Sequence, residues 1–248
     1  MSLFYFSYGQ LSGLTTACFV YSENLRIENG GDAHLRSRPP PLKSKLALAV
    51  GTAGVEDAWA HADVGLVDPS SDHDAKANVT SLRLEGKGMT SFPRLGSAPS
   101  LTELIVSRNA IVTLPEELDT WTPRLTCFDA RRNKLEGALA ESVGRLRALT
   151  RLSLDDNDLS SLPEGLGNLT SLVSLSASRN ALVRLPDSIG DCKSLRFLDV
   201  CSNKLMRLPE TLFAGCTSLE ELWARDNQLV FMPGRPGIPK TIRLARSL

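Results

Sequence analysis

Histidine is scarce in this 248-residue chain, and its position limits the chemistry that the chain can support. The three histidines, His34, His61 and His73, all precede the regularly patterned part that begins at residue 79. No HExxH motif is present, and a nucleophile, a histidine and a carboxylate cannot be brought together within the patterned part. These absences predict that the protein is not an enzyme and that it binds no cofactor.

Net charge is absent as well, because Lys+Arg and Asp+Glu number 28 each. A chain with this balance has no overall field to attract nucleic acid or an anionic membrane. Long apolar runs are also missing. The uncharged stretch 1–22 lacks a basic n-region, and polar residues break its apolar content into pieces too short to span a bilayer. We therefore expect no nucleic-acid partner, and the sequence disfavours a membrane partner.

The cysteines lack the patterns of a disulfide framework or a zinc site. There are five of them, an odd number, and no CxxC motif occurs. No cysteine cluster brackets the patterned part, as disulfide-bonded caps of extracellular repeat arrays usually do. The cysteine count therefore favours a reducing compartment, and we predict a cytoplasmic protein.

A repeated leucine pattern is present along most of the chain and is clearest in Leu149–Leu166. This stretch reads LxxLxLxxNxL followed by xxLPxxL, and its period is in the range of leucine-rich repeats. Its first leucine has counterparts at steps of 22 to 24 residues, which define seven repeats. The seven first positions are Val79, Leu101, Leu125, Leu149, Leu172, Leu195 and Leu219.

Each part of the repeat predicts a local structure. Positions four and six, such as Leu152 and Leu154, alternate along a short strand and point to one side. Asparagine at position nine of six repeats can satisfy backbone groups that the turn leaves unpaired, so these residues should form a ladder. Leu-Pro then begins the convex return. The predicted fold class is an α/β solenoid, a leucine-rich repeat horseshoe with a parallel concave β-sheet and short helical or irregular convex segments.

The repeat period also divides the chain. Residues 1–44 have no sustained period and are predicted to be a disordered or poorly ordered extension, with a leader or a mis-assigned start codon as alternatives. Residues 45–77 are predicted to hold a capping helix, followed from about residue 63 by a polar linker. Residues 78–233 form the repeat array. Residues 234–248 are predicted to be an irregular tail or a partial last repeat with one more strand around Leu244.

Two kinds of position depart from the repeat pattern in an informative way. Cys192 and Cys216 stand where the equivalent residues of other repeats are leucines, so both are predicted to be buried. Cys127 and Cys201 are predicted to lie at exposed strand positions. The third repeat lacks Leu-Pro and carries LEG at residues 135–137, which resembles the LxG form of plant-type repeats.

The concave positions point away from the leucine core, and most of them carry small or polar side chains. Two large aromatic residues, Phe197 and Trp223, are exceptions and lie two positions apart in register on adjacent strands. Exposed tryptophan with arginine is typical of interface hot spots. We predict a partner-binding site here, whereas the alternative is that the tail folds over the pair. The predicted residues of this site are Phe197, Trp223, Arg225, Asp199, Arg196 and Glu221.

A second group of charged side chains lies on repeats two to four. It includes Arg131 and Arg151, which we also count among the predicted partner-binding residues. Its mixed signs fit a recognition surface or a solvated face equally well. Asp155, Asp156 and Asp158 resemble a metal cluster, but an EF-hand loop would need a glycine and a carboxylate at positions where they are missing. We expect a hydrated acidic patch there and no metal site.

Repeats four to seven contain LGNLTSLVSLSASRNALVRLPDSIGDCKSLRFLDVCSNKL at their centre. They resemble intracellular leucine-rich repeat proteins of the Ras-group and Ras-suppressor-like type, including the plant intracellular Ras-group repeats. The resemblance covers about residues 79–232. It implies a scaffold or adaptor that binds signalling proteins, such as a small GTPase or a signalling enzyme, on the concave face. Only this class of role is carried over, to Phe197, Trp223, Arg225 and their neighbours.

Three functions are consistent with these observations. The first is a non-enzymatic scaffold or adaptor in intracellular signalling that binds a protein on its concave face. The second is the ligand-sensing ectodomain, or a fragment of one, from a secreted or membrane leucine-rich repeat receptor. The third is a regulatory or targeting subunit of a phosphatase or ubiquitin ligase. The sequence favours the first and does not separate it from the third, because the repeat consensus is structural.

Overall fold

The computed structural model describes residues 63–66, 79–230 and 243–245, with the backbone alone described for the two flanking segments. All of these residues belong to one compact unit. The predicted N-terminal extension, the predicted capping helix before residue 63 and most of the predicted tail lie outside the described residues.

The main sheet of the described residues contains nine strands in the order β1-β2-β3-β4-β6-β8-β9-β10-β11, and a second sheet pairs β5 with β7. The strands are β1 Asp63–Leu66, β2 Val79–Arg83, β3 Glu103–Ile105, β4 Cys127–Asp129, β5 Glu136–Ala138, β6 Arg151–Ser153, β7 Asp158–Ser161, β8 Ser174–Ser176, β9 Phe197–Asp199, β10 Glu221–Trp223 and β11 Arg243–Ala245. Seven of them, β2, β3, β4, β6, β8, β9 and β10, come from the seven repeats and pair in parallel, one repeat beside the next. The predicted parallel sheet is therefore confirmed.

Short helical turns make the return segments of the repeats. They are α1 Leu118–Trp121, α2 Glu141–Gly144, α3 Glu210–Gly215 and two 3₁₀ turns, Glu164–Asn168 and Asp187–Asp191. Pro163, Pro186 and Pro209 stand directly before three of these turns, each with φ between −59° and −69°, the range that proline prefers. Neighbouring turns pack so closely that a Cβ on Gly190 would lie 2.6 Å from the carbonyl oxygen of Thr211. Only glycine fits at such a contact.

The core lies between the main sheet and the return segments. Leu152, Leu154, Leu175 and Leu198, all at positions four and six or their equivalents, are completely buried. A side chain of the leucine class contributes about 1.5–3 kcal/mol when it is fully removed from water. Because each repeat contributes several such residues, neighbouring repeats stabilise each other through one continuous apolar column.

The asparagine ladder is confirmed in all six repeats that carry it. Asn157 shows the pattern: its Nδ2 donates to the carbonyl oxygens of Ala130 and Leu154 at 3.1 and 2.9 Å, and its Oδ1 accepts from the Leu135 N–H at 3.0 Å. One side chain thus links its own turn to the turn of the preceding repeat. The other members, Asn109, Asn133, Asn180, Asn203 and Asn227, make equivalent bonds.

The residue before position nine, the position of the ladder asparagine, has a left-handed backbone in all seven repeats. Gly86 has this conformation in the first repeat, with φ of 64°. In the other six repeats the residue is not glycine, and φ lies between 53° and 57° at Arg108, Arg132, Asp156, Arg179, Ser202 and Asp226. A non-glycine residue in this region costs about 1–2 kcal/mol. The asparagine bonds on either side of the turn hold this conformation in place.

The start of the array differs from the prediction. A polar linker was expected from about residue 63, but Asp63–Leu66 forms β1, which pairs antiparallel with β2 of the first repeat. An open edge strand presents unpaired N–H and C=O groups. β1 covers that edge with a strand of opposite direction, whereas the sequence predicted that a helix would cover it.

The LxG sequence of the third repeat has a structural counterpart. Glu136–Ala138 pairs in parallel with Asp158–Ser161 of the fourth repeat, and Gly137 has φ of 68°. This is the second sheet, on the side of the molecule reached after the asparagine turn. Glycine adopts this left-handed backbone without the steric cost that a side chain would add.

Candidate protein-binding surface

The two aromatic side chains that the repeat pattern does not require lie together on the main sheet. In the β9–β10 register, Phe197 is opposite Glu221, and Trp223 is opposite Asp199. The ring centroids of Phe197 and Trp223 are 6.0 Å apart with an interplanar angle of 59°, a tilted arrangement typical of favourable aromatic pairs. Trp223 is 41% exposed, one of the few large apolar side chains on the described surface with this accessibility. We call Phe197 and Trp223 the aromatic pair.

Charged residues lie in and next to the two strands that carry the aromatic pair. Arg196, directly before β9, forms an ion pair with Glu220, directly before β10, with 2.6 Å between Nη2 and Oε1. Within β10, the indole N–H of Trp223 donates to Glu221 at 3.2 Å. Arg225 lies two residues beyond Trp223 and is exposed. The arrangement is an apolar centre with a charged rim.

Asp199 lies beside the aromatic pair in a half-buried position. Its carboxylate accepts a hydrogen bond from the Cys201 N–H at 2.9 Å. Burial raises the pKa of Asp199, and the hydrogen bond from Cys201 opposes this increase. The carboxylate is therefore partly withdrawn from water next to two aromatic rings, where a cationic group of a partner would gain from both.

The second predicted group is largely occupied with internal contacts. Arg131 and Asp129 form an ion pair at 2.9 Å, and burial raises the pKa of Asp129 while Arg131 lowers it. Asp155 accepts hydrogen bonds from the Ser176 and Ser178 hydroxyls and from the Ser178 N–H. These contacts make a self-satisfied polar surface across repeats three to five.

Arg151 lies on β6 next to these groups but is separate from the aromatic pair by the serine-lined strand β8. The structure therefore places Phe197, Asp199, Glu221 and Trp223 together on β9 and β10, with Arg196 directly before β9 and Arg225 two residues after β10. Arg131 and Arg151 lie on or next to β4 and β6, on another part of the concave face. Among the described residues, no group of three or more histidine, cysteine, aspartate or glutamate side chains is arranged to hold a metal ion.

The cysteines agree with the predictions in part. Cys192 and Cys216 are buried in the core, and their thiols donate to the carbonyl oxygens of Leu166 and Ile189. Burial raises the pKa of Cys192 to about 12 and that of Cys216 to about 11, so both are unreactive thiols. Cys127 was expected to be exposed, but it is only 9% exposed. Its small side chain lies low between the neighbouring strands.

Cys201 also differs from its predicted position. It follows β9 instead of lying within it, and it is half-buried. Burial and the nearby Asp199 carboxylate raise the pKa of Cys201 to about 12. All four cysteines in the described part of the chain are free thiols.

The last described strand lies next to the aromatic pair. β11 pairs in parallel with β10, with Leu244 opposite Leu222 and Ala245 opposite Trp223. The predicted extra strand around Leu244 is therefore confirmed, whereas Ile242 lies outside the described residues. β11 extends the sheet edge beside Trp223, and the indole ring keeps its exposure.

One exposed feature was missed at the sequence level. Val183, Met206 and Val230 are 49%, 52% and 83% exposed, and all three stand at position twelve of consecutive repeats. We call these three residues the flank stripe. Their shared position in the repeat could have revealed them, because position twelve of the third and fourth repeats carries Glu136 and Ser160 instead.

Comparison with known proteins identifies the repeat. The Leucine Rich Repeat family model matches residues 148–169, which is the stretch with the clearest pattern. No curated protein gives a significant match. Within the described residues, no helix is both long enough and apolar enough to cross a membrane.

Three solved structures illustrate the similarity. YopM from Yersinia enterocolitica is 32% identical over 67% of this chain and 33% of its own, with a TM-score of 0.55. The plant peptide hormone receptor RGFR1, in complex with RGF2, is 28% identical over 60% of this chain and 28% of its own, with a TM-score of 0.53.

The third is the leucine-rich repeat ectodomain of the Arabidopsis thaliana receptor kinase GASSHO1/SCHENGEN3, bound to CASPARIAN STRIP INTEGRITY FACTOR 2. It is 25% identical over 62% of this chain and 19% of its own, with a TM-score of 0.55. The present chain thus spans between a fifth and a third of the structures that it matches. It contains a leucine-rich repeat and has the leucine-rich repeat solenoid fold, a general protein-interaction fold that is typically a non-enzymatic binding scaffold.

Proposed function

We propose that this protein is an intracellular scaffold or adaptor that binds a signalling protein through the aromatic pair on repeats six and seven. The observation that carries the proposal is the tilted contact between the half-buried Phe197 and the exposed Trp223, with charged residues on the same two strands. Aromatic side chains and arginine are the residue types most enriched at binding hot spots. Neither aromatic side chain has a role in the leucine core, so a partner gives their position a physical reason.

The proposed partner presents a cationic side chain to the aromatic pair. Asp199 and Glu221 lie next to the rings, and an aromatic face with a nearby carboxylate favours a guanidinium or ammonium group. A small GTPase or another signalling protein of the kind suggested by the Ras-group resemblance would satisfy this requirement with a surface arginine or lysine. The four free cysteines support an intracellular location.

The test is capture of partners from the native cell with the double variant Phe197→Ala/Trp223→Ala. We expect the variant to fold with a nearly unchanged circular dichroism melt, because neither side chain belongs to the buried leucine core, and to lose most partner signal in quantitative mass spectrometry. Ile105→Ala is the matched control, since Ile105 is also apolar and lies at a concave position, but on the second repeat. Recovery of the same partners by the double variant would disprove the site.

A second candidate function is favoured by the two plant receptor structures, each of which is described as a complex with a partner. In this case the chain is a ligand-sensing part of a secreted or membrane receptor. Asn168, in the sequence Asn168-Leu169-Thr170, is exposed and accessible to a glycan. N-terminal sequencing and glycan mapping of the native protein distinguish the two functions: cleavage near Tyr21 with glycan at Asn168 supports the receptor, and an intact cytosolic N-terminus supports the scaffold.

A further inference from the structure

The flank stripe is a second apolar surface that the concave site does not use. Single exposed apolar residues are normal on protein surfaces. Val183, Met206 and Val230 are different because they occupy the same position in three consecutive repeats, where the core pattern requires no apolar side chain. They lie beyond the asparagine turn, on the side reached when the chain leaves the concave face.

Backbone hydrogen bonds fix the spacing of the flank stripe. The Val230 N–H donates to the Met206 carbonyl oxygen at 3.1 Å, and the Lys204 N–H donates to the Leu182 carbonyl oxygen at 2.9 Å. Repeats five, six and seven are therefore adjacent along a ladder at this level as well as in the main sheet. Neighbours in such a ladder are about 4.8 Å apart, so the three apolar side chains form a continuous line across the repeats.

The flank stripe begins where the second sheet ends. Position twelve of the third and fourth repeats is Glu136 and Ser160, which lie in β5 and β7. From Val183 onward the same position is apolar and exposed. Position twelve of repeat two is also apolar, but Val112 is half-buried, so the exposed apolar run at this position is confined to repeats five to seven.

Basic side chains stand on both sides of the flank stripe. Lys204, at position ten, and Arg184 and Arg207, at position thirteen, are all exposed, and no described residue at these two positions of repeats five to seven is acidic. Arg184 has a 3.9 Å contact with Glu164, but both side chains are more than 60% exposed, so this pair is weak. The next acidic residues along the chain after Arg184 and Arg207 lie three positions further on, in the convex turns that begin at 187 and 210.

We propose that the flank stripe binds an amphipathic helix of a partner protein, with apolar residues at i, i+3 or i+4 and i+7 and acidic residues beside them. Three to four residues of a helix advance about 4.5–6 Å along its axis, which matches the spacing of the ladder. A helix laid across the repeats therefore places one apolar residue on each member of the flank stripe. Its acidic residues face Arg184, Lys204 and Arg207, and Met206 at the centre adapts to the apolar face.

The probe is a fluorescein-labelled designed helix with leucine at i, i+4 and i+7 and glutamate on both sides, titrated with the full chain and followed by fluorescence anisotropy. We expect saturable binding that weakens at least tenfold in Met206→Asp. Ser160→Asp introduces the same charge at position twelve of the fourth repeat and is expected to change the Kd less than twofold. The Phe197→Ala/Trp223→Ala variant keeps full affinity, which separates this surface from the concave site.

Three results would overturn the proposal. One is the absence of saturable binding to the glutamate helix. Another is equal affinity for a matched helix with lysine in place of glutamate. The third is sedimentation of the chain with phosphatidylserine vesicles, lost in Met206→Asp, without binding of the glutamate helix, which would assign the flank stripe to a lipid surface.

Discussion

Repeats three and six contribute equivalent strands, β4 and β9, to the main sheet, but their concave side chains make different contacts. Position five is aspartate in both, Asp129 in repeat three and Asp199 in repeat six. Two residues later repeat three has Arg131, which forms an ion pair with Asp129, whereas repeat six has Cys201, which offers its backbone N–H. The earlier repeats satisfy their own charges, and the later ones present Asp199 beside an exposed aromatic pair.

This difference shows where binding information lies in a repeat protein. The leucines and asparagines are alike in both regions because they hold neighbouring repeats together. Only side chains whose contacts are incomplete without a partner distinguish one surface from another. We propose such side chains on the concave face of repeats six and seven and on the flank stripe of repeats five to seven.

The largest effect is expected from a charge in the core, and it differs between the two regions. Leu154→Asp places a carboxylate at a completely buried position and should cost about 3–5 kcal/mol. The equivalent position in repeat seven is the half-buried Ala224, so Ala224→Asp should cost much less. Urea denaturation followed by circular dichroism checks both. A single transition at an unchanged midpoint in Leu154→Asp would contradict the assignment of the core.

The ladder asparagines should also contribute more to the free energy of unfolding in the middle of the array than at its end. Asn157→Ala leaves the Leu135 N–H without its side-chain partner. It also removes one of the two asparagine donors at each of the Ala130 and Leu154 carbonyl oxygens, so a cost of about 1–3 kcal/mol is expected. Asn227 makes similar bonds but is less buried than Asn157, so Asn227→Ala should cost about half as much. Hydrogen exchange of the Leu135 amide provides the local measurement. Equal costs at the two positions would show that burial does not set the strength of the ladder.

One substitution in repeat six can give Asp199 the arginine partner that Asp129 has in repeat three. Because burial raises the pKa of Asp199, the folded chain binds that proton more tightly than the unfolded chain. The free energy of unfolding therefore decreases as pH rises from about 3.8 through the raised pKa. Cys201→Arg recreates the Asp129–Arg131 arrangement and should stabilise the protein at pH 7 by up to about 1 kcal/mol. Asp199→Asn should remove the same pH dependence, as measured by urea denaturation at pH 4 and pH 7.

The smallest effect concerns the left-handed residue before the asparagine. Ser202→Gly in repeat six removes backbone strain and loses only a 3.4 Å contact with Asp226, so a gain of about 0.5 kcal/mol is expected. Arg132→Gly in repeat three removes the same strain but also the ion pair of Arg132 with Asp156, and should be close to neutral. Thermal melts of the two variants check whether only Ser202→Gly raises the Tm.

Much of the fold was predictable because the inward positions of a repeat obey one pattern. Leucine spacing predicted the strands, and asparagine predicted the bonds between turns, since both depend on contacts that recur in every repeat. The strand at 63–66 was not predictable in this way, because its pairing with β2 is a single long-range contact. The polar linker predicted for that segment reflected its local composition alone.

The surface was predictable only where a residue was unusual for its position. Phe197 and Trp223 were found because large aromatic side chains are rare at concave positions. The burial of Cys127 was predicted wrongly, because a small side chain is exposed or buried according to how far the neighbouring side chains project from the sheet. Val183 and Met206 were missed because an apolar residue often follows a leucine in the sequence. The exposure of the residue at this position depends on where the second sheet ends. The pairing of the proposed partner with either surface stays a prediction.

The asparagine ladder has a consequence for how the molecule can be redesigned. Each asparagine reaches only its own turn and the one before it, across sequence separations of 21 to 27 residues. A unit of one repeat inserted between repeats four and five would renew these bonds on both of its sides. The insertion would displace the aromatic pair from Arg131 by one ladder step, about 4.8 Å. The number of repeats between two concave side chains therefore sets the distance between them, in steps of one strand spacing.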